Sequence, residues 1–102
     1  MTVAIRHNPL DHRFEAMDHA EVAGFVEYIQ TEAGLIVFTH TEVSRAYEGK
    51  GVGSKLAEYV LDYSRTEGLS VLPLCPFIAG WIQRHPSYKD LVYRPKPSEV
   101  HD

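Results

Sequence analysis

The sequence predicts a single small domain of the α+β, or mixed α/β, class. Its order should be an antiparallel four-strand meander, a glycine loop, a central helix, a fifth strand and a short C-terminal helix. Three observations predict it. The first forty-odd positions carry brief alternating or clustered apolar runs separated by turn formers. Three glycines at alternate positions, Gly49, Gly51 and Gly53, separate that region from a segment of helical periodicity. At 102 residues, 44% hydrophobic and 24% charged, the chain suffices for one soluble core and is too short for two full domains.

Taken in order, Val3 and Ile5 alternate with Ala4 and Arg6 before Asn8-Pro9 interrupts the first strand. Phe14, Ala16 and Met17 suggest a second strand, and Gly24 to Gln30 (GFVEYIQ) a third. Ala33-Gly34 turns the chain into Leu35 to Val43 (LIVFTHTEV), whose β-branched and aromatic run makes the strongest strand. From Val52 to Glu67, the residues Val52, Leu56, Tyr59, Val60 and Tyr63 recur at three and four, one face of an α-helix, and Gly68 stands where a left-handed cap ends it. Tyr59 and Tyr63 read as half-buried core contacts.

Ser70 to Cys75 (SVLPLC) reads as a fifth strand. Its Pro73 cannot donate to a ladder, so the strand must be unpaired, bulged or splayed there. Phe77 to His85 can form two helical turns, stopped before Pro86. The domain is expected over residues 1–94, with a loose polar tail over 95–102.

Composition narrows the function. The net charge is −4, from 10 Lys+Arg against 14 Asp+Glu, without a long block of like charges, which argues against nucleic acid or an anionic membrane as partner. Cys75 is the only cysteine, so an internal disulfide is excluded and a reducing, cytoplasmic setting is expected. The start MTVAIRHNPL has no apolar run of signal-peptide length. Six histidines are present, but no pair has the H-E-x-x-H arrangement and Cys75 lacks a cysteine neighbour, so no metal site is expected.

The most informative unit is the strand, loop, glycines and helix from Leu35 to Glu67. Glycines let the backbone take positive φ and approach a ligand closely, and the free N–H groups that open a helix favour an anion. Lys50 and Lys55 add two local cations able to face the same anion. A Walker loop does not fit, because Gly53 is followed by Ser54-Lys55 in the opposite order to Gly-Lys-Ser/Thr. The dinucleotide fingerprint does not fit either, because the glycines step by two and follow a meander. A tight strand-to-helix turn with no ligand is the plain alternative for the glycines alone.

EGKGVG at 48 to 53, followed by SKLAEYVLDY, resembles the Q/R-x-x-G-x-G/A coenzyme A loop of the GNAT superfamily of N-acetyltransferases. Gly51 and Gly53 take its two small-residue places, and Glu48 departs from its usual Arg or Gln. HTEVSRAYEGKGVGSKL and LPLCPFIAGWIQRHPSY, between His40 and Tyr88, are similar to a compact GNAT-like subgroup. The resemblance implies acetyl-coenzyme A as co-substrate and a primary amine as acceptor, with a protein lysine or N-terminus among the candidates. It implies that the pantetheine arm lies in a gap between the fourth and fifth strands, along Thr41, Glu42 and Val43. The diphosphate would be held by the loop residues Glu48, Gly49, Lys50, Gly51, Val52, Gly53, Ser54 and Lys55, and the thioester would end near Cys75, Pro76 and Phe77.

For the chemistry, the candidates are Cys75, His85 and Tyr88. Cys75 would carry the acetyl group, or shape its pocket, or be a buried small hydrophobe like most free cysteines. His85 or His40 would be its basic neighbour. The helix tyrosine that many GNAT enzymes use as general acid is replaced here by Ile82, leaving Tyr88 or Cys75 for that role. Without it, a non-catalytic coenzyme A or acyl-coenzyme A sensor is the alternative. Trp81 and Phe77 read as core or pocket-wall residues.

Overall fold

The computed structural model describes residues 2–95. The tail expected over 95–102 therefore lies, apart from Pro95, outside the described residues. The strands are β1 (Ala4–Asn8), β2 (Arg13–Asp18), β3 (Glu21–Gln30) and β4 (Leu35–Val43), then helix α1 (Val52–Thr66), β5 (Ser70–Pro73) and helix α2 (Pro76–Arg84). Short 3-10 turns occupy Pro9–Asp11, Arg45–Tyr47 and Pro86–Leu91. The sheet order is β1-β2-β3-β4-β5, antiparallel through β4, with β5 parallel to β4 across the α1 crossover. The predicted architecture is thus present.

One layer of core lies between this sheet and the helices. Phe14, Val26, Tyr28, Ile36 and Phe38 from the strands meet Val52, Leu56, Ala57, Val60 and Leu61 from α1. The buried face of α1 is broader than the expected one: Val52, Leu56 and Val60 are buried and Tyr63 is a half-buried core contact as expected, but Ala57, Leu61 and Ser64 are inside as well and Tyr59 is 42% exposed. Ser64 is accommodated by donating to the Val60 carbonyl at 2.7 Å. A Cβ at Gly24 would lie 2.8 Å from the Glu42 carbonyl oxygen and against Val52 and Leu56, so this glycine lets α1 settle on the sheet.

Two irregularities decide which side chains reach the helix side. Glu27 pairs with His40 and Tyr28 with Phe38, leaving Thr39 as the extra residue of a β-bulge in β4. Before it, Ile36 and Phe38 face the core. After it, Thr41 and Val43 pair with the helix-side positions Val26 and Gly24, and His40 and Glu42 move to the opposite face. A second register shift, at Ala16/Met17, similarly leaves Ala23 extra in β3.

The face away from α1 carries Arg6, Glu15, Arg13, Phe25, His40 and Glu42. Glu15 is 1% exposed there. Burial alone would raise its pKa, but hydrogen bonds from Arg6, Arg13 and Asn8 outweigh that and hold it below the ordinary carboxylate value. On the helix side His7 stacks on Phe14 with ring centroids 4.3 Å apart and bonds the Tyr28 hydroxyl at 2.6 Å. Burial lowers the His7 pKa.

Because the folded state then binds fewer protons at His7 than the unfolded chain, this contribution is present above the unfolded value of about 6.5 and is lost as pH falls through and below it. Thermal unfolding between pH 7.5 and 5.5 should show the melting temperature falling with acidity, and His7→Phe should flatten that slope. An unaltered slope in the variant would assign the effect elsewhere.

Candidate active site

The site grows from the way β4 and β5 separate. Their pairing runs from Leu35↔Ser70 to Phe38↔Pro73, and a last bond, Cys75 N–H to the Phe38 carbonyl at 2.9 Å, follows it. Proline ends the predicted Ser70 to Cys75 strand at Pro73, and Pro76 starts α2 with Cys75 as its N-cap. Among the described residues, β4 continues to Val43 without a partner on that side, so the edge from Thr39 to Val43 keeps backbone donors and acceptors free for a ligand.

Cys75 sits in the angle between the parted elements. It is 4% exposed, and its thiol donates to the Thr41 hydroxyl at 3.1 Å. That contact depends on the bulge at Thr39, since uninterrupted alternation would have pointed Thr41 to the other face. Sequence reasoning named Thr41 for its backbone and missed its hydroxyl, because a bulge without glycine or proline leaves no sequence signal.

The glycine loop leads into the start of α1. Gly49 and Gly51 have φ of 75° and 79°, the left-handed region predicted for them. Nothing lies within 4 Å of a Cβ built at either. Gly53 serves another purpose: its Cβ would come 2.9 Å from the Phe77 ring, so the glycine allows α2 to approach the first turn of α1. The helix begins with Gly51 as N-cap and no capping side chain. Among the described residues, the N–H groups of Gly49, Lys50, Gly51, Val52, Gly53 and Ser54 have no protein partner, which is the arrangement that holds an anion.

Lys55 does not join them. Its amide bonds the Gly51 carbonyl, and its ammonium is taken by the Val3 carbonyl at 2.6 Å. Lys50 alone supplies a side-chain cation in the loop, and Glu48 opposes it. A cation not singled out from the sequence is Arg84, whose guanidinium lies 3.2 Å from the Cβ position of Gly80, folded back along α2. Only the i to i+4 spacing of Gly80 and Arg84 hinted at this.

His85 and Tyr88 are not brought to Cys75. His85 follows α2 at the end opposite Cys75, about 15 Å along the axis. It stacks on Trp81 at 3.8 Å and its Nδ1 bonds the Trp81 carbonyl. Tyr88 donates to Asp62 at 2.8 Å in the later turns of α1, and burial, then that bond, push its phenol up to about 12. Arg65, paired with Asp90 at 2.8 Å and with the Ser87 carbonyl, holds the same segment there. Ile82 is buried in the core, and His40 lies on the face away from the thiol. Trp81 borders the core with its indole N–H buried and unpartnered among the described residues.

A family model described as GCN5-related N-acetyltransferase matches residues 13–91. The chain belongs to this GNAT family and carries a GNAT-type N-acetyltransferase domain. Among solved structures it resembles a GCN5-like N-acetyltransferase of Staphylococcus aureus, at 24% identity and a TM-score of 0.70, over 97% of this chain and 96% of that one. It also resembles the ribosomal-protein-alanine N-acetyltransferase of Brucella melitensis biovar Abortus, at 16% identity and a TM-score of 0.52, over 88% of this chain and 67% of that one. No curated protein matches the sequence. Among the described residues, no helix of this GNAT chain is long and apolar enough to cross a membrane.

Two loop variants separate ligand binding from packing. Gly51→Asp places a carboxylate where the free amides converge, and should lower coenzyme A affinity at least tenfold by calorimetry while the fold persists. Gly53→Ala should instead lower the melting temperature, by pressing on Phe77, through a cost of roughly 1–3 kcal/mol. Full affinity in folded Gly51→Asp would remove these amides from the site.

Proposed function

We propose that the protein binds acetyl-coenzyme A across the α1 N-terminus and the open β4 edge and transfers its acetyl group to a primary amine. The observation that carries the proposal is the continuity of two unsatisfied backbone rows. The amides of residues 49 to 54 and the edge from Thr39 to Val43 follow one another and lead to Cys75. The first row suits a diphosphate and the second an amide-bearing arm, and these residues fit the cofactor by donor type and order.

In the reaction, the deprotonated amine attacks the thioester carbonyl. The C–N bond forms and the nitrogen gives up one proton, the C–S bond breaks with its electron pair leaving on sulfur, and the departing thiolate takes one proton, so the proton count balances. Cys75 is the candidate donor or acyl carrier, because its S–H lies beside the open edge whereas His85 and Tyr88 are held elsewhere. Their remoteness also favours the second reading, a coenzyme A sensor without turnover. A reducing, cytoplasmic setting agrees with the lone buried thiol.

Free thiol released from acetyl-coenzyme A, measured with and without a panel of primary amines, tests the proposal. Release that rises with amine is expected. A thermal shift without amine-dependent release would select the sensor. Cys75→Ala should keep the thermal shift and slow transfer at least tenfold; a change of only a few-fold would reduce the thiol to pocket lining. An added acetyl mass on the intact native chain separates carrier from proton donor.

A further inference from the structure

A cleft of about 470 Å³ opens on the sheet face away from α1, lined by Arg13, Phe25, Glu42, Arg45 and Glu48 among others. It is large enough for a small molecule. Arg13, Phe25 and Glu42 share that face because they alternate with the helix-side residues Phe14, Val26 and Thr41. Arg45 and Glu48 close it from the turn after β4.

The Arg13 guanidinium is fixed before any ligand arrives. Its Nε donates to buried Glu15 at 2.6 Å, and its Cζ lies over the Phe25 ring, 4.5 Å from the centroid. Among the described residues its two terminal nitrogens have no partner, and neither has the Arg45 guanidinium. Glu15 is shared with Arg6, so the trio of Arg6, Arg13 and Glu15 keeps a net positive charge. Glu42 and Glu48 set two carboxylates against Arg13 and Arg45 in the same wall. A simple anion would meet those carboxylates and a simple diamine those guanidinium groups, whereas a ligand with both signs satisfies all of them.

The cleft also adjoins the open strand edge. Glu42 lies one residue from Thr41, whose hydroxyl accepts the Cys75 thiol, and its carboxylate comes 3.7 Å from His40 Nε2 on the unpaired stretch of β4. Arg13 stands on β2, two strand spacings or roughly 10 Å from β4, a span that a lysine-length side chain bridges, whereas an amine attached directly beside a carboxylate bound at Arg13 would stay in the cleft.

We propose that this cleft is the acceptor subsite for an amino acid of the lysine or ornithine class. Arg13 and Arg45 take its α-carboxylate, Glu42 and Glu48 take its α-ammonium, and its side-chain amine extends to the β4 edge. The inference rests on the acetyl-transfer reading above, and its test separates the two.

Amine-dependent thiol release is compared for lysine, lysinamide and cadaverine, the last two lacking the carboxylate. A charge-assisted bidentate contact predicts kcat/KM for lysine about tenfold or more above both. Arg13→Met should bring the lysine-to-cadaverine ratio close to one. Arg45→Gln, in an exposed turn that leaves Glu15 paired, should reduce it in the same direction if Arg13→Met fails to fold. Equal kcat/KM for lysine and cadaverine in the native chain would overturn the subsite while leaving acetyl transfer intact. If no amine stimulates release, the acetyl-transfer reading fails. The subsite is then decided by NMR: shifts at Arg13 and Phe25 on titrating lysine, absent with cadaverine, support it, and their absence overturns it.

Discussion

The bond from the Cys75 amide to the Phe38 carbonyl is the point on which the site depends. Up to it, β4 and β5 share an ordinary parallel ladder; beyond it, one chain runs on as a bare edge and the other turns into α2. Two prolines enforce the parting. Pro73 has no N–H with which to extend the ladder, and Pro76 is suited by its fixed φ to the first turn of a helix. The gap is therefore written into covalent chemistry, and Cys75 lies between these prolines with its thiol turned to Thr41.

That explains which parts of the fold could be read from the residues. Turn formers and alternation located the meander, Gly49 and Gly51 were legible because positive φ is costly for other residues, and Gly68 ended α1 in the left-handed conformation expected of it. Pro73 announced the splay. The bulges were not legible, because Thr39 and Ala23 carry no conformational mark, yet they decide which side chains face the helices. The choice of Leu61 over Tyr59 on the buried face of α1 has a similar cause: both fit an apolar stripe, and only the sheet beneath the helix chooses between them. His85 and Tyr88 looked available because closeness in sequence to Cys75 was the only guide. The helix that separates His85 from the thiol, and the Asp62 that binds Tyr88, belong to tertiary geometry.

The electrostatics follow from the same economy of size. A chain with net charge −4 does not attract a diphosphate through its overall field. Lys55, which looked like a second cation for it, is spent on the Val3 carbonyl, where it ties the chain before β1 to α1. For the proposed ligand, attraction at the loop would come mainly from backbone: six amides that have no protein partner among the described residues and the aligned dipoles of α1, joined by Lys50. Backbone donors hold their positions at no side-chain entropy cost, which suits a small domain whose short loops cannot carry a cluster of long basic side chains. Glu48, opposite in sign, sits at the rim where the loop meets the outer cleft.

The bulge at Thr39 gives β4 two distinct faces along its unpaired length. On the helix side, Thr41 and Val43 lie with Cys75 and the start of α1; on the other, His40 and Glu42 lie with Arg13 and Phe25. A cofactor bound from the first side and an acceptor arriving from the second would meet only at the strand edge, so neither must pass the other to enter. Larger domains can separate two substrates with added helices. Here a three-residue 3-10 turn joins β1 to β2, and one extra residue in a central strand makes the separation instead.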